Sequence, residues 1–168
     1  MSSVATINSV CARAPWCDPQ VLDAVLTLAI EIACEGHEGA RLGALFTIGR
    51  STTVLTCSRP LILDPLFGHA PVDTHISNPA LQGTIKELAR LDGAFVIGDD
   101  GTVVSACRYL DIPAHGVSVP LGLGSRHVAA AAASKQLRVI AITVSQTGIV
   151  RVFYDGVVLA EIREHVGV

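Results

Sequence analysis

The sequence predicts an α/β (α+β) fold: a mixed, largely antiparallel central sheet of about seven strands covered by helices. Three observations carry this. Helical and extended apolar patterns alternate along the chain. Several neighbouring strands are joined by tight turns, which excludes a purely parallel sheet. Half of the 168 residues are apolar and only 16% are charged, enough to bury a sizeable core in one domain.

The first seventeen residues, ending in Ala14-Pro15-Trp16-Cys17, read as an arm ahead of a domain spanning 18–168, with Trp16 either facing a partner or, the favoured reading, anchoring the arm on the core. Asp18-Pro19 starts a helix, because a capping carboxylate precedes a proline whose missing N–H costs nothing at the first helical position. Val21, Leu22, Val25, Leu28, Ala29 and Ile32 recur at helical spacing, and Gly36 ends the run. Residues 42–48 and 52–57 read as strands joined by a Gly49-Arg50-Ser51 turn. After a loop through Pro60, Pro65 and Gly68, Asn78-Pro79 starts a second helix with Leu81, Ile85, Leu88 and Ala89 on one face.

Residues 94–97 and 102–107 flank Asp99-Asp100-Gly101, a hairpin signal. A loop rich in glycine and proline runs from about 111 to 124, and Ser125 is expected to cap an alanine-rich helix over 129–136. Three apolar strands close the chain near 139–144, 150–154 and 157–162, separated by Gln146-Thr147-Gly148 and Asp155-Gly156 turns.

Composition narrows the function classes. A net charge of −3 argues against a nucleic-acid duplex held by a broad basic patch, whereas a small phosphate ligand needs only local donors. The five cysteines form no C-x-x-C pair and suit a reducing compartment; Cys34 and Cys107 lie in apolar segments as packed thiols. The six histidines show no tight ligand spacing, against a zinc site. The start lacks a signal-peptide pattern and no run approaches the ~18 apolar residues of a membrane helix. A cytoplasmic protein without membrane contact is expected.

Two segments could carry chemistry. Asp92 sits between a helix end and an apolar strand, where its carboxylate could reach a metal or a reacting hydroxyl. The bland alternative is a turn in which Asp92 bonds nearby N–H groups and Gly93 supplies positive φ. Gly122-Leu123-Gly124-Ser125-Arg126-His127 enters the alanine-rich helix, where flexible backbone, open N–H groups and three side-chain donors could cradle phosphate. It is neither a Walker loop nor a full Rossmann fingerprint, and its alternative is an ordinary capped helix with Arg126 in solvent. An acid plus a donor-rich helix start is what nucleotidyl transfer needs. Arg108 is an accessory phosphate candidate, while Asp99 and Asp100 read as turn residues.

Asp92-Gly93-Ala94 followed about thirty residues later by Gly124-Ser125-Arg126-His127 resembles the signature of the diadenylate cyclase domain family, in the branch common in archaea and some bacteria. Further matching stretches are Ile30-Glu31-Ile32-Ala33, Glu35-Gly36-His37-Glu38-Gly39, 43–49, Asp64-Pro65, Gly68-His69 and 85–94, so the resemblance covers roughly residues 20 to 163. It implies condensation of two ATP into cyclic di-AMP with release of two pyrophosphates, at a face-to-face dimer of active sites. It implies that Asp92 binds a divalent metal, Mn²⁺ or Mg²⁺, and helps activate the ribose 3′-hydroxyl. Gly93 and Ala94 would allow close approach of the nucleotide. Gly124, Ser125, Arg126 and His127, with Ser145, would hold phosphates, Arg126 and His127 as catalytic groups.

The sequence departs from the family pattern at Val128, where better-known branches carry a second arginine, and at Gln146, where a carboxylate often follows the serine. Members of this branch commonly carry a further domain ahead of the cyclase region, so part of the assembly surface is expected to be absent. Those departures keep open a catalytically weak or inactive nucleotide-binding sensor module of the same fold. An unrelated oligomerisation domain, in which both motifs are only turns and caps, is the other rival.

Overall fold

The computed structural model describes residues 3–36, 40 and 42–163; His37-Glu38-Gly39, part of the resemblance, lies outside the described residues. Seven strands form one sheet in the order β2-β4-β3-β1-β5-β6-β7. They are β1 (Ala44–Ile48), β2 (Ser58–Pro60), β3 (Ala94–Ile97), β4 (Val103–Leu110), β5 (Ile140–Val144), β6 (Ile149–Tyr154) and β7 (Val157–Arg163). Among the described residues only β1 and β3 pair in parallel; the other neighbours are antiparallel, as the tight turns of β3–β4, β5–β6 and β6–β7 require for those pairs. Among the described residues five helices accompany the sheet: α1 (Ser3–Arg13), α2 (Pro19–Glu35), α3 (Ser51–Thr56), α4 (Pro79–Leu88) and α5 (Ser125–Gln136).

Alternation along the strands divides the core. Phe46, Ile48, Ile140, Ile142 and Val152 pack with α1, α2 and α4, whereas Leu45, Val96, Ala141 and Phe153 pack with α5. Because β1, β3 and β5 are covered on both faces, every residue in them is buried, which explains their uninterrupted apolar runs. The alanines of α5 let its backbone approach the sheet closely; Ala130, Ala131 and Ala133 have no exposed surface.

Local chemistry sets the helix starts. The Asp18 carboxylate accepts from Gln20 N–H at 2.8 Å and the Asn78 side chain from Ala80 N–H at 3.0 Å, each just before a proline. Gly36, at φ 59°, closes α2. In the β3–β4 hairpin Asp100 accepts from Thr102 N–H at 2.9 Å and Gly101 adopts φ 89°, which is turn chemistry, whereas the Asp99 carboxylate leaves its own turn to accept from Arg50 N–H at 3.2 Å.

Four expectations change. Residues 52–57 do not form a strand: Gly49 (φ 98°) and Arg50 (φ 44°) turn the chain out of the sheet, and Ser51–Thr56 coils into α3. The strand role passes to β2, which pairs with β4. Ser125 is not the cap of α5; Gly124 is, so the helix begins earlier and Ser125, Arg126 and His127 form its first turn. Cys34 is exposed on α2, unlike buried Cys107. Trp16 is 38% exposed, with its ring against the Cα of Gly49, while the segment ahead of it forms α1.

Candidate active site

The parallel register of β1 and β3 pairs Phe46 with Phe95, which places Gly93 and Asp92 beside the start of β1. Gly93 must be glycine here. It has φ 109°, and a Cβ would lie 2.5 Å from the Cys107 carbonyl carbon and 2.7 Å from Arg108 N. That close approach is matched on β4 by a bulge, where Cys107 takes the unusual φ of 57°. Asp92 is thereby held at the mouth of a cleft, exposed and without a hydrogen-bond or ion-pair partner among the described residues.

The cleft has a volume of about 660 Å³. Asp92, Gly93 and Ala94 line it together with Ser125, Arg126, Val128 and Ala129 from α5, Leu45 from β1, and Arg108 and Tyr109 from β4. The two motifs, some thirty residues apart in sequence, therefore border one space. The first turn of α5 brings its open N–H groups there, since the intrahelical bonds to Gly124 O begin only at His127 and Val128. The Arg126 guanidinium lies directly over Gly43, occupying the space a side chain at Gly43 would fill. Gly43→Ala should therefore displace Arg126 without disturbing the core. We expect a loss of activity on the order of tenfold to a hundredfold with an unchanged thermal midpoint, checked by assay and calorimetry side by side.

Arg108 also lines the cleft, but its guanidinium donates to Ser58 Oγ at 2.8 Å, Ser58 O at 3.0 Å and Leu55 O at 3.1 Å, tying the α3–β2 connection to β4. Tyr109 and Leu61 were not foreseen as lining residues. Tyr109 is half-exposed, with the Arg59 guanidinium 4.7 Å from its ring centre.

Three candidates stand apart from the cleft lining, the first being Gly124, the cap of α5. Ser145, level with the start of β1, is buried at the β5–β6 turn, sharing a 2.7 Å hydrogen bond with Thr147 Oγ1 and accepting from Ile149 N–H at 3.1 Å. His127 is buried beneath α5, near Phe153, with Nε2 3.2 Å from Arg151 Nη1. An arginine can only donate, so Nε2 accepts and the neutral ring carries its proton on Nδ1. Burial first, then the Arg151 and Arg126 cations, lower the His127 pKa from the ordinary 6.5. A histidine with a depressed folded-state pKa contributes stability above its unfolded pKa and loses it as pH falls through the folded value. The urea midpoint should therefore drop on acidification below about pH 6.5, and drop less in His127→Asn.

Among the described residues no three His, Cys, Asp or Glu side chains cluster to hold a metal. A lone exposed carboxylate suits a hard divalent cation that keeps waters and shares the phosphates of its substrate, the usual habit of Mg²⁺, rather than a closed protein cage. No helix among the described residues is long and apolar enough to cross a membrane.

A protein-family model described as DAC: DisA bacterial checkpoint controller nucleotide-binding matches residues 31–158, which include the whole cleft lining. The chain belongs to this family. Diadenylate cyclase of Methanocaldococcus jannaschii is 48% identical over 143 residues, 84% of this chain and 45% of that protein. Diadenylate cyclase of Haloferax volcanii is 42% identical over 146 residues, 86% of this chain and 53% of that protein. The chain thus spans about half the length of the curated DAC relatives it matches. Among solved structures, a double-cysteine variant of DacA from Staphylococcus aureus aligns with TM-score 0.58 at 22% identity, over 83% of this chain and 84% of that one. A hypothetical membrane spanning protein from Bacillus cereus aligns with TM-score 0.58 at 23% identity, over 80% and 59% respectively. At those identities the alignments speak for the DAC fold alone.

Proposed function

We propose that this chain is a diadenylate cyclase domain that joins two ATP molecules into cyclic di-AMP and releases two pyrophosphates. The observation that carries the reading is the convergence of Asp92-Gly93-Ala94 and Ser125-Arg126 on one cleft. In each half-reaction a ribose 3′-oxygen attacks the α-phosphorus of the other ATP, and the bond to the pyrophosphate oxygen breaks as the new P–O bond forms. Asp92 attracts the hydroxyl proton and supplies the carboxylate for a divalent ion, whose chemistry is to neutralise phosphate charge. Gly93, whose missing side chain lets the β4 backbone close up on it, forms part of the cleft wall against which the nucleotide lies. Ser125, with the open N–H groups of the first turn of α5, holds phosphate oxygens, and Arg126 offsets the charge that grows on leaving pyrophosphate.

Each cleft serves one triphosphate, so the reaction needs a second chain facing the first. Exposed Leu61, at the cleft, continues into Ile62 and Leu63, and Phe67 on the same loop is 86% exposed; such side chains favour covering by a second copy. Activity per chain should therefore rise with protein concentration and level off once dimers prevail. A constant specific activity down to monomeric concentrations would contradict the two-chain reaction.

A weaker nucleotide-binding module is the second reading, favoured by one observation: Val128 lines the cleft where a further cation would face phosphate. ATP binding measured by calorimetry, without any product at either metal, would support it.

A further inference from the structure

Arg151 is a buried cation on β6, the strand next to the β7 edge, 8% exposed and on the face that α5 covers. Its cross-strand partner on β7 is Glu161, whose Oε2 accepts from Arg151 Nε at 3.0 Å. The other Glu161 oxygen accepts from Arg163 at 2.6 and 2.9 Å, which fixes the carboxylate between two guanidinium groups. Arg151 Nη1 then reaches His127 Nε2 at 3.2 Å. A planar guanidinium held at one edge by a carboxylate has its remaining donors aimed in a set direction, which lysine cannot match. His127 directly follows Arg126, whose own guanidinium lies over Gly43 at the cleft.

We propose that Arg151 is a positioning residue: oriented by Glu161, it clamps His127 and so fixes the first turn of α5, which sets where Arg126 and Ser125 stand in the cleft. His127 in this account works from beneath the helix, as the joint between sheet and cleft. The proposal rests on the reading of Arg126 as a phosphate-contacting group, and its test separates the two.

The test is a double-variant cycle on the full chain with ATP and Mn²⁺, using Arg151→Met, Arg126→Ala and their combination. Each single change should lower turnover by on the order of tenfold or more, and the combination should lose clearly less than the product of the two, because part of the Arg151→Met loss runs through Arg126 and the rest through Ser125. Arg151→Lys should recover part of the loss, and it replaces Arg151→Met in the cycle if the latter does not fold. Nitrogen NMR of the His127 ring supplies a readout independent of turnover. The Nδ1–H form of the wild type should give way to a mixture with Nε2–H in Arg151→Met. Losses that multiply in the double variant, with an unchanged His127 tautomer, overturn the clamp. If Arg126→Ala is fully active, the phosphate reading of Arg126 falls, and the tautomer decides the clamp: a shift upholds it, no shift overturns it.

Discussion

Replacing Asp92 with asparagine should lower cyclic di-AMP formation by about 10²–10⁴-fold, the range associated with losing a positioned proton acceptor. The fold should be untouched. Asp92 is exposed and has no hydrogen-bond or ion-pair partner among the described residues, so the nearly isosteric amide leaves no buried group unsatisfied. What asparagine lacks is charge, which both a divalent cation and a departing hydroxyl proton require. Product assays alongside thermal unfolding check this: lost turnover with an unchanged midpoint is the expected pair. A variant that keeps most of its activity would move the acid role elsewhere.

Gly93→Ala should behave in the opposite way and damage the fold as well as the chemistry. Two costs combine: φ 109° is a region that residues with a Cβ rarely adopt, and the added atom meets Cys107 and Arg108 backbone rather than a side chain that could swing aside. Backbone strain and overpacking together should remove about 3 kcal/mol. That corresponds to a fall of roughly 10 °C in the thermal midpoint of a domain this size. Calorimetry of the purified variant checks it. An unchanged midpoint would mean that the β3–β4 contact is not as close as described.

The parts of the fold legible in sequence are those whose causes are local. Asp18-Pro19 and Asn78-Pro79 cap their helices by contacts two residues away, and Asp100-Gly101 closes its hairpin by bonds within the turn. Residues 52–57 suit either state because the run is only six residues long, four of them β-branched; Gly49 and Arg50, both at positive φ, redirect it. The start of α5 at Ser125, capped by Gly124, is masked in the sequence because the alanine run is a stronger helix signal than the Ser-Arg-His turn ahead of it.

The site divides along the same line. Asp92, Gly93, Ser125 and Arg126 were visible as short motifs, and all four border the cleft. Their companions depend on strand pairing: Leu45 enters through β1, and Tyr109 through a β4 that runs three residues past its expected end. The contact of Arg126 with Gly43 and that of His127 with Arg151 join residues tens of positions apart, and no local pattern announces either.

The central claim is tested most directly by incubating the purified protein with ATP and Mn²⁺ or Mg²⁺ and separating the products by chromatography. The account predicts cyclic di-AMP, with two pyrophosphates released for each molecule formed. Absence of the cyclic dinucleotide with both metals, at high concentration of a correctly folded protein, would contradict it.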